Sequence, residues 1–263
     1  MRLSRLALLC IVGAVAAACS SDKVTTPSVP PYAQLRFISA VADTGAVDIR
    51  FIDQIDLSPP ANTLTFRGGT LYAQAEAKAR RIRVFPTSIN PAITSQILLD
   101  TTINLTADSR VTLLLTGPSR TAGQLKFVVI NDDTQAPSSG QIGVRTVNAS
   151  TGAISGYLVN APTDALPGTA TFANIASYTA SPYVNRATGA AALRFTDVGS
   201  TTVNASVAGP ASPATPAGAF PAAGVSSSGT MFSVYYFPKA RAGSVSTPGA
   251  VWFVDRNPCD AGC

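Results

Sequence analysis

Gln34-Leu35-Arg36-Phe37-Ile38-Ser39, followed by Thr44-Gly45-Ala46-Val47, returns as Gln141-Ile142-Gly143-Val144-Arg145-Thr146, followed by Thr151-Gly152-Ala153-Ile154, at a constant offset of 107. A second anchor sits at an offset of 106, where Thr63-x-Thr65-Phe66 with Tyr72 matches Thr169-x-Thr171-Phe172 with Tyr178. Two further pairs continue the correspondence: Ile82-Arg83-Val84 with Leu193-Arg194-Phe195, and Val128-Val129-Ile130-Asn131 with Trp252-Phe253-Val254-Asp255. Self-similarity of this kind marks one structural unit made twice. The growing offset places the insertions in the second copy. Most of them fall in the Pro/Ala/Gly/Ser tract 209–228, which reads as a mobile loop unable to build a core.

Within each copy the hydrophobic period is two. Leu35 and Phe37 alternate with Arg36, and Val47, Ile49 and Phe51 alternate with Asp48 and Arg50, which predicts strands with one buried face. Asp43-Thr44-Gly45 supplies a turn between them. The alanine-rich stretch from Tyr72 to Arg83 has good helix propensity, with Glu76 four residues before Arg80. Its alanines nevertheless alternate strictly with Gln74, Glu76, Lys78 and Arg80, so it is read as strand. No long amphipathic helix is visible. Each copy has the size at which a seven-stranded, two-sheet sandwich closes a core. The expected fold is all-β, with two tandem immunoglobulin-like antiparallel β-sandwich domains at 32–133 and 141–263, joined by a polar hinge at 134–140. Two copies sharing one larger sheet is the alternative.

The N-terminus gives an address. Arg2 and Arg5 precede an apolar run from Leu6 to Ala18, which ends in Ala16-Ala17-Ala18 before Cys19. That is a secretory signal over residues 1–18. The run is too short to span a bilayer, which takes roughly 20 apolar residues. The small residues before Cys19 resemble the bacterial lipobox, with Ala16 standing where a larger aliphatic is common. The resemblance implies that the Cys19 thiol is alkylated with diacylglycerol and that its amine is then acylated, with chains such as palmitate. Stable anchoring takes at least two acyl chains, and a triacylated cysteine has three. Ser20 rather than aspartate follows Cys19, which points to the outer membrane or cell surface. Residues 19–31 then form a lipidated, polar and Pro-rich spacer.

Composition removes several function classes. The chain of 263 residues has 13% charged residues, one glutamate and no histidine, so mechanisms built on Ser-His-Asp or Cys-His are excluded. Its formal charge of +5 falls to +3 without Arg2 and Arg5, which predicts no acidic partner. Of four cysteines, Cys10 leaves with the signal and Cys19 is lipidated. Cys259 and Cys263 remain, and in an oxidising compartment they form an expected disulfide ring. Two thiols make only half of a tetrahedral zinc site, so no metal is expected there.

The openings of the copies, Leu35-Arg36-Phe37-Ile38-Ser39-Ala40 through Ala46-Val47-Asp48-Ile49 and Ile142 through Ser150, together with Tyr72 and Tyr178, resemble a bacterial extracellular β-sandwich family. That family is catalogued as domain of unknown function 4397. The second copy departs from its pattern at Ser155 and Gly156, where an aspartate-bearing strand is usual. The resemblance implies an exported, commonly membrane-anchored sandwich and no particular activity.

Few side chains suggest chemistry. Asp43, Asp48, Asp53 and Asp56 lie close in sequence, and a pair across a cleft would suit glycoside hydrolysis. They are unmatched in the second copy, and Asp48 is expected on a solvated strand face. Asn131-Asp132-Asp133 beside the hinge is the better place for a shared Ca²⁺. Arg80, Arg81 and Arg83 read as a solvated strand edge rather than a nucleic-acid surface. Tyr72 and Tyr178 read as equivalent structural tyrosines, and Tyr235-Tyr236-Phe237 as core. The expected function is that of a membrane-anchored extracytoplasmic lipoprotein, a non-catalytic binding or structural module of the cell envelope. It needs no cofactor, binds the bilayer through its acyl chains, and has an unidentified protein or polysaccharide partner. A carbohydrate-active or other hydrolytic enzyme using aspartate carboxylates is the alternative.

Overall fold

The structure, a computed structural model, describes residues 29–54, 60–132, 135–211, 224–239 and 247–258. The first copy contributes β1 (Tyr32–Ser39), β2 (Val47–Phe51), β3 (Ala61–Leu64), β4 (Ala73–Glu76), β5 (Ala79–Pro86), β6 (Leu99–Asn104), β7 (Arg110–Thr116) and β8 (Lys126–Asn131). One helical turn, α1 (Pro91–Thr94), capped by the Asn90 side chain, lies between β5 and β6. The second copy contributes β9 (Gln141–Asn148), β10 (Ile154–Val159), β11 (Phe172–Ile175), β12 (Val184–Ala187), β13 (Ala192–Asp197), β14 (Val203–Ala208), β15 (Met231–Phe237) and β16 (Gly249–Arg256). The Tyr72–Arg83 stretch is strand, as its alternation requires, because β4 and β5 occupy it.

Each copy is a β-sandwich of two four-stranded sheets, ordered β4-β1-β7-β8 and β3-β2-β5-β6 in the first, β12-β9-β15-β16 and β11-β10-β13-β14 in the second. Each therefore has eight described strands, not the seven expected, and among these no sheet is shared between copies. Nor are the sheets wholly antiparallel. The first strand of each copy runs parallel to its neighbour, β1 to β7 and β9 to β15.

Three apolar cores stack through residues 31–263, which form one compact unit. Leu35 and Phe37 of β1 join Ile49, Val84 and Leu113 inside the first sandwich. Val144 of β9 joins Ile154, Phe195 and Phe232 inside the second. The third core lies between the two inner sheets and holds Ile38, Leu114 and Ile130 of one copy against Val147, Tyr235 and Phe237 of the other. The consecutive leucines 113, 114 and 115 thus alternate between two cores. A strand covered on both faces reads as a continuous apolar run, which is what β7 and β15 are.

The repeat survives in the fold with a corrected alignment. Arg36 pairs with Thr112 across β1 and β7, as Arg145 pairs with Ser233 across β9 and β15, so Arg36 corresponds to Arg145, two residues beyond the sequence match. Tyr72 corresponds to Tyr183, not to Tyr178: the isolated bridges Ile38–Gly69 and Val147–Ala180 fix the step. A slip of two residues keeps every side chain on its own face, so the hydrophobic pattern could not detect it. The match of Ile82-Arg83-Val84 to Leu193-Arg194-Phe195 holds in register.

Three local expectations change. Asp48 is buried rather than solvated, accepting from the Thr63 N–H (2.8 Å) and the Thr87 hydroxyl (2.5 Å). Arg80 is buried too: β5 is an interior strand of its sheet and not an edge, and Arg80 lies on the same face as the core residues Ile82 and Val84. Its guanidinium bonds Asp53 at 2.7 Å and lies 3.9 Å from the centre of the Phe51 ring. The described ends of the tract 209–228 are also anchored: Gly209 donates to Ala191 (2.7 Å), and Val225 donates to Pro210 (3.0 Å) and is buried in the second core.

Candidate functional site

The face where the sandwiches meet is built by every second residue of the inner strands. On β1 these are Arg36 and Ile38, followed by Ala40; on β9 they are Arg145 and Val147, followed by Ala149. On β7 they are Thr112, Leu114 and Thr116; on β15, Ser233, Tyr235 and Phe237. Along the strands this gives an ionic end, an apolar middle and a far end of Ala40, Ala149, Thr116 and Phe237.

At the ionic end two arginines cross between the sandwiches. Arg36 Nη2 bonds Asp255 Oδ1, while its Nε donates to Thr112 (2.6 Å) and its Nη1 to the Val254 carbonyl (3.0 Å). Arg145 repeats the arrangement in reverse: Nη2 bonds Asp132 Oδ1, Nε donates to Ser233 (2.7 Å) and Nη1 to the Asn131 carbonyl (2.8 Å). Each carboxylate is also held from its own sandwich. Asp132 accepts from Tyr72 (2.5 Å) and Thr112 (2.7 Å), and Asp255 from Tyr183 (2.9 Å) and Ser233 (2.6 Å). The guanidiniums stack over the same tyrosines, each 4.6 Å from the ring centre. Such a reciprocal contact is isologous, the kind a symmetric dimer makes.

Burial governs this cluster. The Arg36 side chain is 2% exposed, and those of Asp132 and Asp255 are fully covered. Burial alone would lower Arg36, but the carboxylate of Asp255 leads the groups that hold it well above its ordinary value. Burial pushes the Asp132 carboxyl up, against the pull of Arg36. It raises Tyr72 and Tyr183 strongly, and Tyr235 to about 12. The two arginines and two aspartates are neutral as a set, and their remaining lone pairs and protons find partners, which is what makes buried charge tolerable.

At the opposite end of the same face a cleft of about 420 Å³ opens between the sandwiches, lined by Ala40, Asp43 and Gly117 from one and Ala149, Tyr178 and Lys239 from the other. Asp43 accepts from the N–H groups of Ser119 (2.9 Å) and Arg120 (3.3 Å). Burial would raise it, but those donors outweigh burial and hold it below the usual carboxylate range.

The residues singled out in the sequence scatter. Asp43, Asp48 and Asp53 each bond a different group, and Asp56 lies outside the described residues. Arg81 and Arg83 both bond Asp100, which they hold down to about 2. Asp132 does stiffen the junction, but through arginine; Asp133 lies outside the described residues, and no group of three metal-ligating side chains occurs among those described. Tyr235 and Phe237 belong to the core between sandwiches, and Tyr236 to that of the second. Cys19, Cys259 and Cys263 lie outside the described residues. Thr112, Ser233, Tyr183 and Asp255 were not singled out. One signal could have found them: moving the last repeat match by one residue sets Asp132 against Asp255.

Residues 33–155 match the model of the domain of unknown function DUF4397. Over this segment, just under half of the chain, the protein is similar to that family. No curated protein matches it. Two solved structures resemble the chain weakly. One, described as "Alpha-glucan binding by a streptococcal virulence factor", is 13% identical at a TM-score of 0.22, covering 65% of this chain and 83% of that one. The other, described as "Alpha-glucan recognition by family 41 carbohydrate-binding modules from streptococcal virulence factors", is 12% identical at a TM-score of 0.22, covering 66% and 85%. Likeness at that level carries no functional argument.

Proposed function

We propose that this chain is an extracytoplasmic lipoprotein, lipidated at Cys19, whose paired sandwiches act as a non-catalytic binding or structural module of the bacterial cell envelope. The observation that carries the reading is the polarity of the inner sheets. The spacer leads into Tyr32, at the start of β1, and the inter-sandwich cleft begins at Ala40, beyond its far end. A protein tethered at one end of a rigid block presents the loops of the other end, which is where binding surfaces on sandwich scaffolds lie. The buried charges support the same reading, since they answer one another across the junction and hold the block together.

The test is intact-mass analysis and cell fractionation of the native protein and a Cys19→Ala variant. Lipid mass on the wild type and pelleting with membranes, both lost on substitution, support the tether. An unlipidated, soluble wild type overturns it.

A further inference from the structure

The repeat makes the cleft end of the junction asymmetric. Arg67 and Tyr178 hold equivalent positions, each donating its backbone N–H at 2.8 Å, to Ser39 and to Asn148 respectively. Both sit at positive φ, 64° for Arg67 and 58° for Tyr178. Non-glycine residues in that region are uncommon and cost energy, so the turn is held by its surroundings. The side chains then diverge. Arg67 reaches into the second sandwich and donates to the carbonyls of Pro238 (2.9 Å) and Thr247 (2.6 Å), tying down the base of the β15–β16 connection. Tyr178 makes no matching tie among the described residues and lines the cleft, with Lys126 Nζ 5.5 Å from its ring centre.

The cleft's chemistry follows from its lining. Its volume of about 420 Å³ suits a small molecule. Ala40, Ala149 and Pro118 give it apolar lining, and Tyr178 an aromatic ring. The charge is uneven. Asp43 accepts from the N–H groups of Ser119 and Arg120 and keeps its negative charge, but Lys239, which is exposed, and Lys126, beside Tyr178, outnumber it. The excess of positive charge therefore selects an anion, and the Tyr178 ring selects a ligand with a ring face to lay against it.

We propose that this cleft binds a small organic carboxylate carried on a six-membered ring, the ring lying against Tyr178 and the alanine lining and the carboxylate facing Lys239. The inference rests on the binding-module reading above. Two sources share this chemistry, an aromatic acid and a uronic sugar.

The test is amide NMR titration of the whole mature chain carrying Cys19→Ala, with benzoate, benzamide and glucuronate as probes. Benzoate or glucuronate is expected to shift the amides of Ala42, Thr151 and Tyr178, and whichever binds more tightly identifies the source. Benzamide is expected to bind about fivefold more weakly than benzoate, the effect of one partly solvated ion pair, and Lys239→Gln to erase that difference. Lys239 is exposed, so its loss leaves the fold intact. Equal binding of benzoate and benzamide, or no shift in the cleft amides with any probe, overturns the proposal. Neither result touches lipid mass or membrane pelleting, so the tether stands or falls separately.

Discussion

Arg36 donates to Asp255 across 219 residues of chain, and the bond joins two sandwiches that each have a core of their own. Arg145 returns the contact to Asp132, so each sandwich gives one arginine and receives one. Buried pairs of this kind add little net stability over an apolar contact, but they penalise any arrangement that leaves one partner alone. They fix which faces meet.

Removing one carboxylate strands a buried guanidinium. Asp132→Ala and Asp255→Ala are each expected to lower the unfolding free energy by about 3–5 kcal/mol. Urea denaturation reads this as a lower midpoint. A change below about 1 kcal/mol in both would mean that water enters and solvates the arginines.

The tyrosines divide. Tyr72→Phe and Tyr183→Phe each remove a hydrogen bond to a buried carboxylate, and each is expected to cost about 1.5–3 kcal/mol. The Tyr235 hydroxyl is buried with no hydrogen-bond partner among the described residues, so Tyr235→Phe is expected to be neutral or stabilising. Equal losses in all three variants would contradict this division.

Alkali should open the junction. Tyr72, Tyr183 and Tyr235 are all raised above the ordinary phenol value, chiefly by burial. The unfolded chain ionises its phenols near pH 10 while the folded one keeps these three neutral, so their contribution is full below about pH 10 and is lost as pH rises beyond it. Tyrosinate absorbance from these residues should appear together with loss of far-UV circular dichroism. Early, independent ionisation of all seven tyrosines would show that none is buried.

Gly69 leaves room for the other sandwich. A Cβ there would stand 2.5 Å from the Phe253 ring, so Gly69→Ala must shift the ring. The expected cost is about 1–3 kcal/mol, by the same denaturation measurement. No loss would mean that the inner sheets are not in close contact.

The sequence carried the strands, the repeat and the ambiguous Tyr72–Arg83 segment because period-two alternation is a local signal. The partners across the junction were less legible. Leu113-Leu114-Leu115 shows that both faces of β7 are covered, but not by what. Arg36 and Arg145 look like outward polar residues until a second sheet covers them, and a two-residue slip hid their equivalence. In the sequence Asp132 stands out only by its place beside the junction, as the better candidate place for a cation, since its arginine partner lies in the other copy. The cleft was not legible, because small residues such as Ala40 and Ala149 carry no chemical signature of their own.

The two sandwiches, joined by the buried arginine–aspartate pairs and a shared core, are expected to unfold as one cooperative unit. The chain has a single tryptophan, Trp252, which packs against Phe232 in the second sandwich, whereas far-UV circular dichroism reports both. The measurement is equilibrium urea unfolding followed by the two signals on one sample. A single coincident transition is expected. A circular dichroism curve with a separate step, away from the Trp252 transition, would show that the sandwiches unfold independently and would contradict it.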